Sequence, residues 1–168
     1  MRQNEALEKK TLGQKTEDRL MKYILDRPIQ IGEKIPNEYA LTELFEVRLM
    51  IEPEVVTWAC KRATEEQIDK AEQLCDEIEK LYNQGVDHIY KDIEFHCFLA
   101  KLSGNVVVER LLPVINTAVV TFANITYRSL KNETLTTHRA IVKALCVRDA
   151  VGARCAMIMH LTYNRQVI

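Results

Sequence analysis

Apolar residues recur every three or four positions along most of this chain. Between Thr42 and Ala63 the repeat includes Leu44, Val47, Met50, Ile51, Val55 and Trp58. After Thr64 it continues at Ile68, Ala71, Leu74, Cys75, Ile78 and Leu81. This spacing matches the turn of an amphipathic α-helix, and no segment alternates apolar and polar residues as a half-buried strand does. The pattern therefore predicts an all-α fold in which helices bury their apolar sides against one another.

Residues that begin and end helices mark the boundaries of the predicted segments. Thr64 and Gln67 form a capping box that opens a helix ending at Gly85, and Asp149 is a good N-cap for the last helix. Pro53 and Pro113 lie inside two helices and predict a kink or bend in each. The predicted helices cover 16–26, a short segment from Asn37, 42–63, 64–85, 87–102, 106–130, 132–147 and 149–166.

Length and composition indicate one compact domain with a small appendage. The chain has 168 residues, of which 47% are hydrophobic and 28% are charged, a balance typical of a helical protein with a sizeable core. The net charge of −1 provides no overall field that would attract nucleic acid or anionic lipid. The charged N-terminal segment lacks the apolar stretch of a secretory signal, and no apolar run approaches a membrane span. We therefore expect a cytoplasmic protein without a membrane partner.

The cysteines do not predict a disulfide framework or a thiolate zinc site. They are odd in number, scattered, and contain no Cys-x-x-Cys pair. We expect all of them to be small buried hydrophobic residues. They are Cys60, Cys75, Cys97, Cys146 and Cys155.

One aspartate and three histidines are spaced for a shared site inside the bundle. Asp92 and His96 lie four residues apart, so on a helix they occupy the same face. His138 and His160 fall on the last two predicted helices. If these helices form an antiparallel hairpin, the two imidazoles lie roughly 15 and 18 Å from its turn, at similar heights. The sequence therefore predicts that all four side chains face one interior point.

Imidazole and carboxylate groups together favour a transition metal. A histidine alone is more often an ordinary core or surface residue, but three on inward faces beside an aspartate predict a metal site, with zinc or nickel preferred. Such a donor set leaves coordination positions open for a small carboxylate. A di-iron carboxylate site would need a glutamate three residues before a ligand histidine. Those positions hold Ile93, Leu135 and Met157, which cannot bind a metal.

Several motifs in order resemble the effector-binding FCD domain of the FadR-type branch of the GntR transcription regulators. They are LFEVRLMIEPEVVTWACKRATEEQ, DIEFHCFLAKLSGN, THRAIVKAL and RDAVGARCAMIMHL. The resemblance implies an antiparallel helical bundle over residues 42–168 that binds ligand and forms a homodimer. It also implies metal ligation by Asp92, His96, His138 and His160.

Arg48 has two interpretations that the sequence leaves open. The resemblance implies that its guanidinium reaches the ligand and pairs with the effector carboxylate. Alternatively, it forms an ion pair within its own helix with Glu52, four residues further on.

Residues 1–41 resemble the first part of a winged helix-turn-helix. The family's recognition helix and wing would follow Leu41, but the chain passes directly to TELFEVR. Either these elements are absent or the printed chain omits a segment. DNA-binding residues are therefore unknown, and we expect no sequence-specific DNA binding by the chain as printed.

These observations predict a ligand-responsive transcriptional regulator that senses a small organic carboxylate at a metal site and acts on a DNA operator. One alternative is a metal-dependent enzyme that uses the open site. The ligand helices offer no spare inward acid to act as a general base, so we expect no enzyme activity. The other alternative is a protein that binds ligand and dimerises but does not bind DNA.

Overall fold

The computed structural model describes residues 37–125 and 132–165, and within these ranges every regular element is an α-helix. The predicted all-α fold is confirmed. The helices are α1 (Asn37–Arg62), α2 (Glu65–Asn83), α3 (Ile89–Leu102), α4 (Val106–Ile125), α5 (Asn132–Cys146) and α6 (Ala150–Arg165).

Local sequence signals fix the ends of these helices. The Thr64 hydroxyl accepts a hydrogen bond from the Gln67 amide, and the Gln67 side chain accepts one from the Thr64 amide, so the predicted capping box opens α2. Gly85 follows α2 with a φ of 67°, a left-handed conformation that glycine adopts without steric cost. Asp149 caps α6 as predicted, because its carboxylate accepts the Gly152 amide.

The short turn between α5 and α6 is fastened to the end of α1. Arg148 in this turn has a φ of 58°, in the left-handed region. Its guanidinium donates hydrogen bonds to the carbonyl oxygens of Cys60 and Ala63 and pairs with Glu65. The α5–α6 hairpin therefore starts from a fixed point on the junction between α1 and α2.

Helix α1 is the central element of the bundle. It packs against α3, α4, α5 and α6, while α5 also packs against α2 and α6. The core contains large side chains that are almost completely buried, among them Phe95, Leu99, Leu112, Ile141, Leu145, Met157 and Leu161. Because α1 contacts both the α3–α4 pair and the α5–α6 hairpin, it faces the side chains that those helices direct inward.

α1 differs from the prediction in two ways. It runs without interruption through residues 41 and 42, so the short helix expected from Asn37 and the helix expected from Thr42 are one helix, with Pro53 inside it as predicted. Its buried face matches the predicted apolar stripe only in part: Val55 is buried, but Met50 is 77% exposed, and Arg48 and Glu52 are buried instead.

The remaining predictions have mixed outcomes. The predicted helix at 16–26 and most of the partial winged helix-turn-helix lie outside the described residues, as do residues 126–130 of the fourth long helix. Cys60 and Cys75 are buried as expected, but Cys97 is half-buried and the prediction was wrong for Cys146 and Cys155, which are exposed. In the described part of the chain, no helix is long and apolar enough to cross a membrane.

Candidate metal centre

Four side chains from three helices converge in the interior of the bundle. Asp92 and His96 come from α3, His138 from α5 and His160 from α6. Each offers one ligand atom, and these atoms all lie within 4.8 Å of one another. All four residues are buried. The structure therefore brings together the group that the sequence spacing singled out.

The helices hold these donors at one level for simple geometric reasons. Asp92 and His96 are one turn apart on the inward face of α3, which also carries the buried Phe95. The rings of His138 and His160 stack with their centroids 4.4 Å apart, because the α5–α6 hairpin places them at similar distances from its turn. Phe95 lies against His138, with ring centroids 4.7 Å apart, and so closes one side of the group with an apolar surface.

Asp92 is an ionised carboxylate in a buried position. Its Oδ1 lies 3.2 Å from His138 Nε2, and its Oδ2 lies 3.9 Å from His96 Nε2. Burial alone would raise the pKa of Asp92, but the neighbouring imidazoles, His138 foremost, hold it well below its usual range. The close contact with His138 is not aligned as a hydrogen bond. Consequently Asp92 Oδ1 and both ring nitrogens of His138 have no hydrogen-bond partner among the described residues.

His160 is oriented by two polar neighbours. The Thr137 hydroxyl donates its hydrogen to backbone carbonyls of its own helix, at 2.7 Å from Glu133 O and 3.0 Å from Thr134 O. Its oxygen lies 3.0 Å from His160 Nδ1, so it accepts the hydrogen that this nitrogen carries. The Asn164 amide lies 3.1 Å from His160 Nε2 and donates to it. His160 is thus set as the tautomer whose lone pair is on Nε2.

His96 is oriented by Glu52, a buried acid on α1. Glu52 Oε2 lies 2.5 Å from His96 Nδ1, and Glu52 Oε1 accepts a hydrogen bond of 2.5 Å from Arg48 Nε. Burial would raise the pKa of Glu52, but Arg48 and His96 lower it to about 2. Because the carboxylate is ionised and can only accept, His96 Nδ1 carries a hydrogen, and Nε2 is the ring nitrogen that faces the other donors.

The two Nε2 atoms face each other at a point where a cation could bind. His96 Nε2 and His160 Nε2 lie 3.0 Å apart, while Nδ1 of each ring contacts its own partner on the other side. Burial lowers the pKa values of His138 and His160, which favours the neutral imidazoles that can act as metal ligands. Three imidazole nitrogens and one carboxylate oxygen are the donors that a divalent transition metal prefers, so this buried group could hold one.

Of the two interpretations of Arg48, the ion pair with Glu52 is present in the structure. Both side chains are almost fully buried, and the guanidinium also lies over the Phe45 ring, 5.2 Å from its centroid. The sequence indicated this pair through its four-residue spacing. It did not indicate that Glu52 also reaches His96, because the two residues lie on separate helices and no sequence pattern connects them.

The fourth histidine of the chain, His88, lies outside the group. His88 immediately precedes α3 and is half-buried. Its ring makes an edge-on contact with Tyr82, with centroids 5.6 Å apart.

Comparisons with known proteins agree with the fold and with the order of the motifs. The family model of the FCD domain matches residues 43–163. Two curated proteins are similar in sequence. The HTH-type transcriptional regulator YcbG of Bacillus subtilis is 31% identical over 134 residues, which are 76% of this chain and 54% of that protein. The Uxu operon regulator of Haemophilus influenzae is 28% identical over 128 residues, which are 71% of this chain and 47% of that protein. This chain therefore spans about half the length of these relatives.

Two solved structures have similar folds. A Streptococcus agalactiae GntR protein superposes with a TM-score of 0.70 and 28% identity, covering 94% of this chain and 100% of that one. Escherichia coli McbR/YncC superposes with a TM-score of 0.65 and 16% identity, covering 75% of this chain and 62% of that one.

Proposed function

Because this chain belongs to the FCD-domain branch of the GntR-type transcriptional regulators, we propose that it senses a small organic carboxylate and relays its presence to gene expression. The observation that carries this proposal is the buried group of Asp92, His96, His138 and His160, whose ligand atoms lie within 4.8 Å of one another. Burying one carboxylate and three imidazoles costs folding free energy, so a purely structural role does not explain why they are grouped in the interior.

These four residues would hold a divalent transition metal, with zinc or nickel preferred by the imidazole and carboxylate donors. When bound, the ion would supply a Lewis-acidic position for a carboxylate oxygen of the effector. Three imidazoles and one carboxylate leave at least one position free on an ion that accepts five or six ligands. The donor set thus supports a sensor for small acids.

Charge also favours an anionic effector. The combined positive charge of a divalent ion and Arg48 exceeds the negative charge of Asp92 and Glu52, so the loaded site attracts an anion. The interaction is strong in a buried environment because little water screens it. We propose that Arg48 pairs with the effector carboxylate, which its planar guanidinium can bind through two parallel hydrogen bonds.

The output of the sensor depends on parts of the protein beyond the bundle. We propose a homodimer in which residues 1–41 belong to a DNA-binding module and residues 42–168 bind the effector and form the dimer contact. The effector would shift the placement of two such modules on a DNA operator only by binding one arrangement more tightly than the other.

Metal-loaded protein incubated with a panel of small carboxylic acids tests the proposal. The expected result is a rise in the unfolding temperature with one class of acid and no chemical change in that acid. Turnover of the acid would instead identify an enzyme. Glu52, the buried acid nearest to the group, has both oxygens engaged by Arg48 and His96 and so is a poor general base. Absence of stabilisation by every acid would mean that the metal serves only to hold the helices together.

A further inference from the structure

Building on the proposed metal site, we propose that Glu52 is a positioning residue that links the effector-binding arginine to a metal ligand. One carboxylate oxygen of Glu52 accepts from Arg48 and the other accepts from His96. Glu52 therefore connects Arg48 directly to His96, whose Nε2 faces the other donors.

The contact with His96 determines which ring nitrogen faces the other donors. His96 Nδ1 lies 2.5 Å from Glu52 Oε2, and both side chains are only 1% exposed. Since a carboxylate can only accept, this contact keeps a hydrogen on Nδ1 and leaves Nε2, the atom that lies 3.0 Å from His160 Nε2, to bind a metal. An anionic acceptor on the distal nitrogen also makes the imidazole a stronger metal ligand.

The contact with Arg48 divides the negative charge of Glu52 between two donors. Arg48 is 3% exposed and Glu52 is 1% exposed, so little water competes for either group. When an effector carboxylate takes the Arg48 guanidinium, Glu52 keeps His96 as its partner and its charge acts on that ring. Binding at Arg48 and donor strength at His96 are thereby coupled through one side chain.

The variant Glu52→Gln tests this link because glutamine has almost the same shape but a different donor pattern. Its amide has one oxygen and one NH₂ group, whereas its two neighbours in this site, Arg48 Nε and His96 Nδ1, both donate. The NH₂ group must then face one donor. We expect zinc affinity to fall about 10- to 100-fold, measured by competition with a chromophoric chelator.

Glu54→Gln is the matched control. Glu54 lies on the same helix and pairs with Arg154 at 2.9 Å. This ion pair is exposed, and it involves none of the four metal-binding residues. We expect its zinc affinity to equal that of the unaltered protein. Equal affinity in Glu52→Gln would overturn the inference while leaving the proposed metal site intact.

The double variant Arg48→Met/Glu52→Gln separates positioning from a merely structural role. Without the guanidinium, the amide oxygen of the glutamine is free to turn to His96 Nδ1, so the double variant should regain part of the zinc affinity lost in Glu52→Gln. It also removes a buried charge that would otherwise lack a partner, which protects the fold. An affinity equal to or below that of Glu52→Gln would refute the link. If the unaltered protein itself binds no zinc, the proposed function fails and this inference fails with it.

Discussion

The Nε2 atoms of His96 and His160 lie 3.0 Å apart in the centre of the bundle. The hydrogen of each ring is used on the opposite side, by Glu52 for His96 and by Thr137 for His160. Polar contacts between α1 and α3 and between α5 and α6 thus turn the two Nε2 atoms toward one point. A cation that binds this folded arrangement of donors stabilises it, so the stability of the fold and the occupancy of the site should be linked.

Removal of either hairpin histidine should abolish stoichiometric metal binding. We expect His138→Ala and His160→Ala, loaded with zinc and dialysed, to retain well below one equivalent by elemental analysis, because each loses one of the four donors. His88→Ala serves as the control, since His88 lies outside the group, and it should retain a full equivalent. Full occupancy in both hairpin variants would refute the assignment of the ligands.

Stability without metal should fall as the pH is lowered. The folded-state pKa values of His138 and His160 lie below the unfolded value of about 6.5. The stability that these neutral imidazoles contribute is therefore present above pH 6.5 and is lost as the pH falls through their folded pKa values. Glu52, with a folded pKa of about 2 against an ordinary value of 4.5, acts in the same direction below about pH 4.5.

Urea unfolding in the presence of a chelator, between pH 8 and pH 4, measures this dependence. The expected free energy of unfolding decreases from about pH 6.5 downward. An increase in that range would show that the imidazoles are protonated in the folded protein and would contradict the tautomers assigned above.

Replacing Thr137 by valine should weaken the site although Thr137 binds no metal itself. Valine keeps the shape but leaves the Nδ1 hydrogen of His160 without its acceptor in a buried position, which costs about 1–3 kcal/mol of stability. We expect zinc affinity to fall about 10-fold, as for loss of other groups that orient metal ligands.

Thr162→Val is the matched control for this measurement. Thr162 also donates to a carbonyl one turn back in its helix, at 2.7 Å from Ile158 O, but it is exposed. Its zinc affinity should be unchanged. A similar loss in both variants would mean that the threonine hydroxyl acts on the helix and not on His160.

The capping box of α2 should contribute stability without affecting the site. Thr64→Ala removes the hydroxyl that accepts the Gln67 amide, and such a loss typically costs about 1 kcal/mol. We expect a lower urea midpoint at unchanged metal content. A change in metal content would indicate that α2 sets the position of the donors, which would contradict this prediction.

The sequence was most informative wherever the signal is local. The capping box at Thr64, the glycine after α2 and the Asp149 cap lie where the sequence indicated, because each depends on contacts within a few residues. The shared face of Asp92 and His96 and the similar distances of His138 and His160 from the α5–α6 turn likewise depend only on helix geometry.

The sequence was least informative on α1. There the inward positions include Arg48 and Glu52, so apolar residues such as Val55 mark only part of the buried face, and Met50 was expected inside although it is 77% exposed. A method that assigns buried positions from residue polarity places charged residues such as Arg48 and Glu52 on the surface. The link from Glu52 to His96 depends on how α1 and α3 face each other, which periodicity within each helix does not encode.

Arg148 binds the carbonyl oxygens at the end of α1 and so holds the α5–α6 turn in place. The number of residues between this turn and His160 therefore determines which way the imidazole faces. Inserting one residue between Gly152 and His160 would rotate the imidazole by about 100° around the helix axis. Because the turn is held against α1, the hairpin cannot shift along its length to compensate. Among homologous chains, length changes should therefore be tolerated at the outer ends of these two helices but excluded between the fastened turn and either histidine.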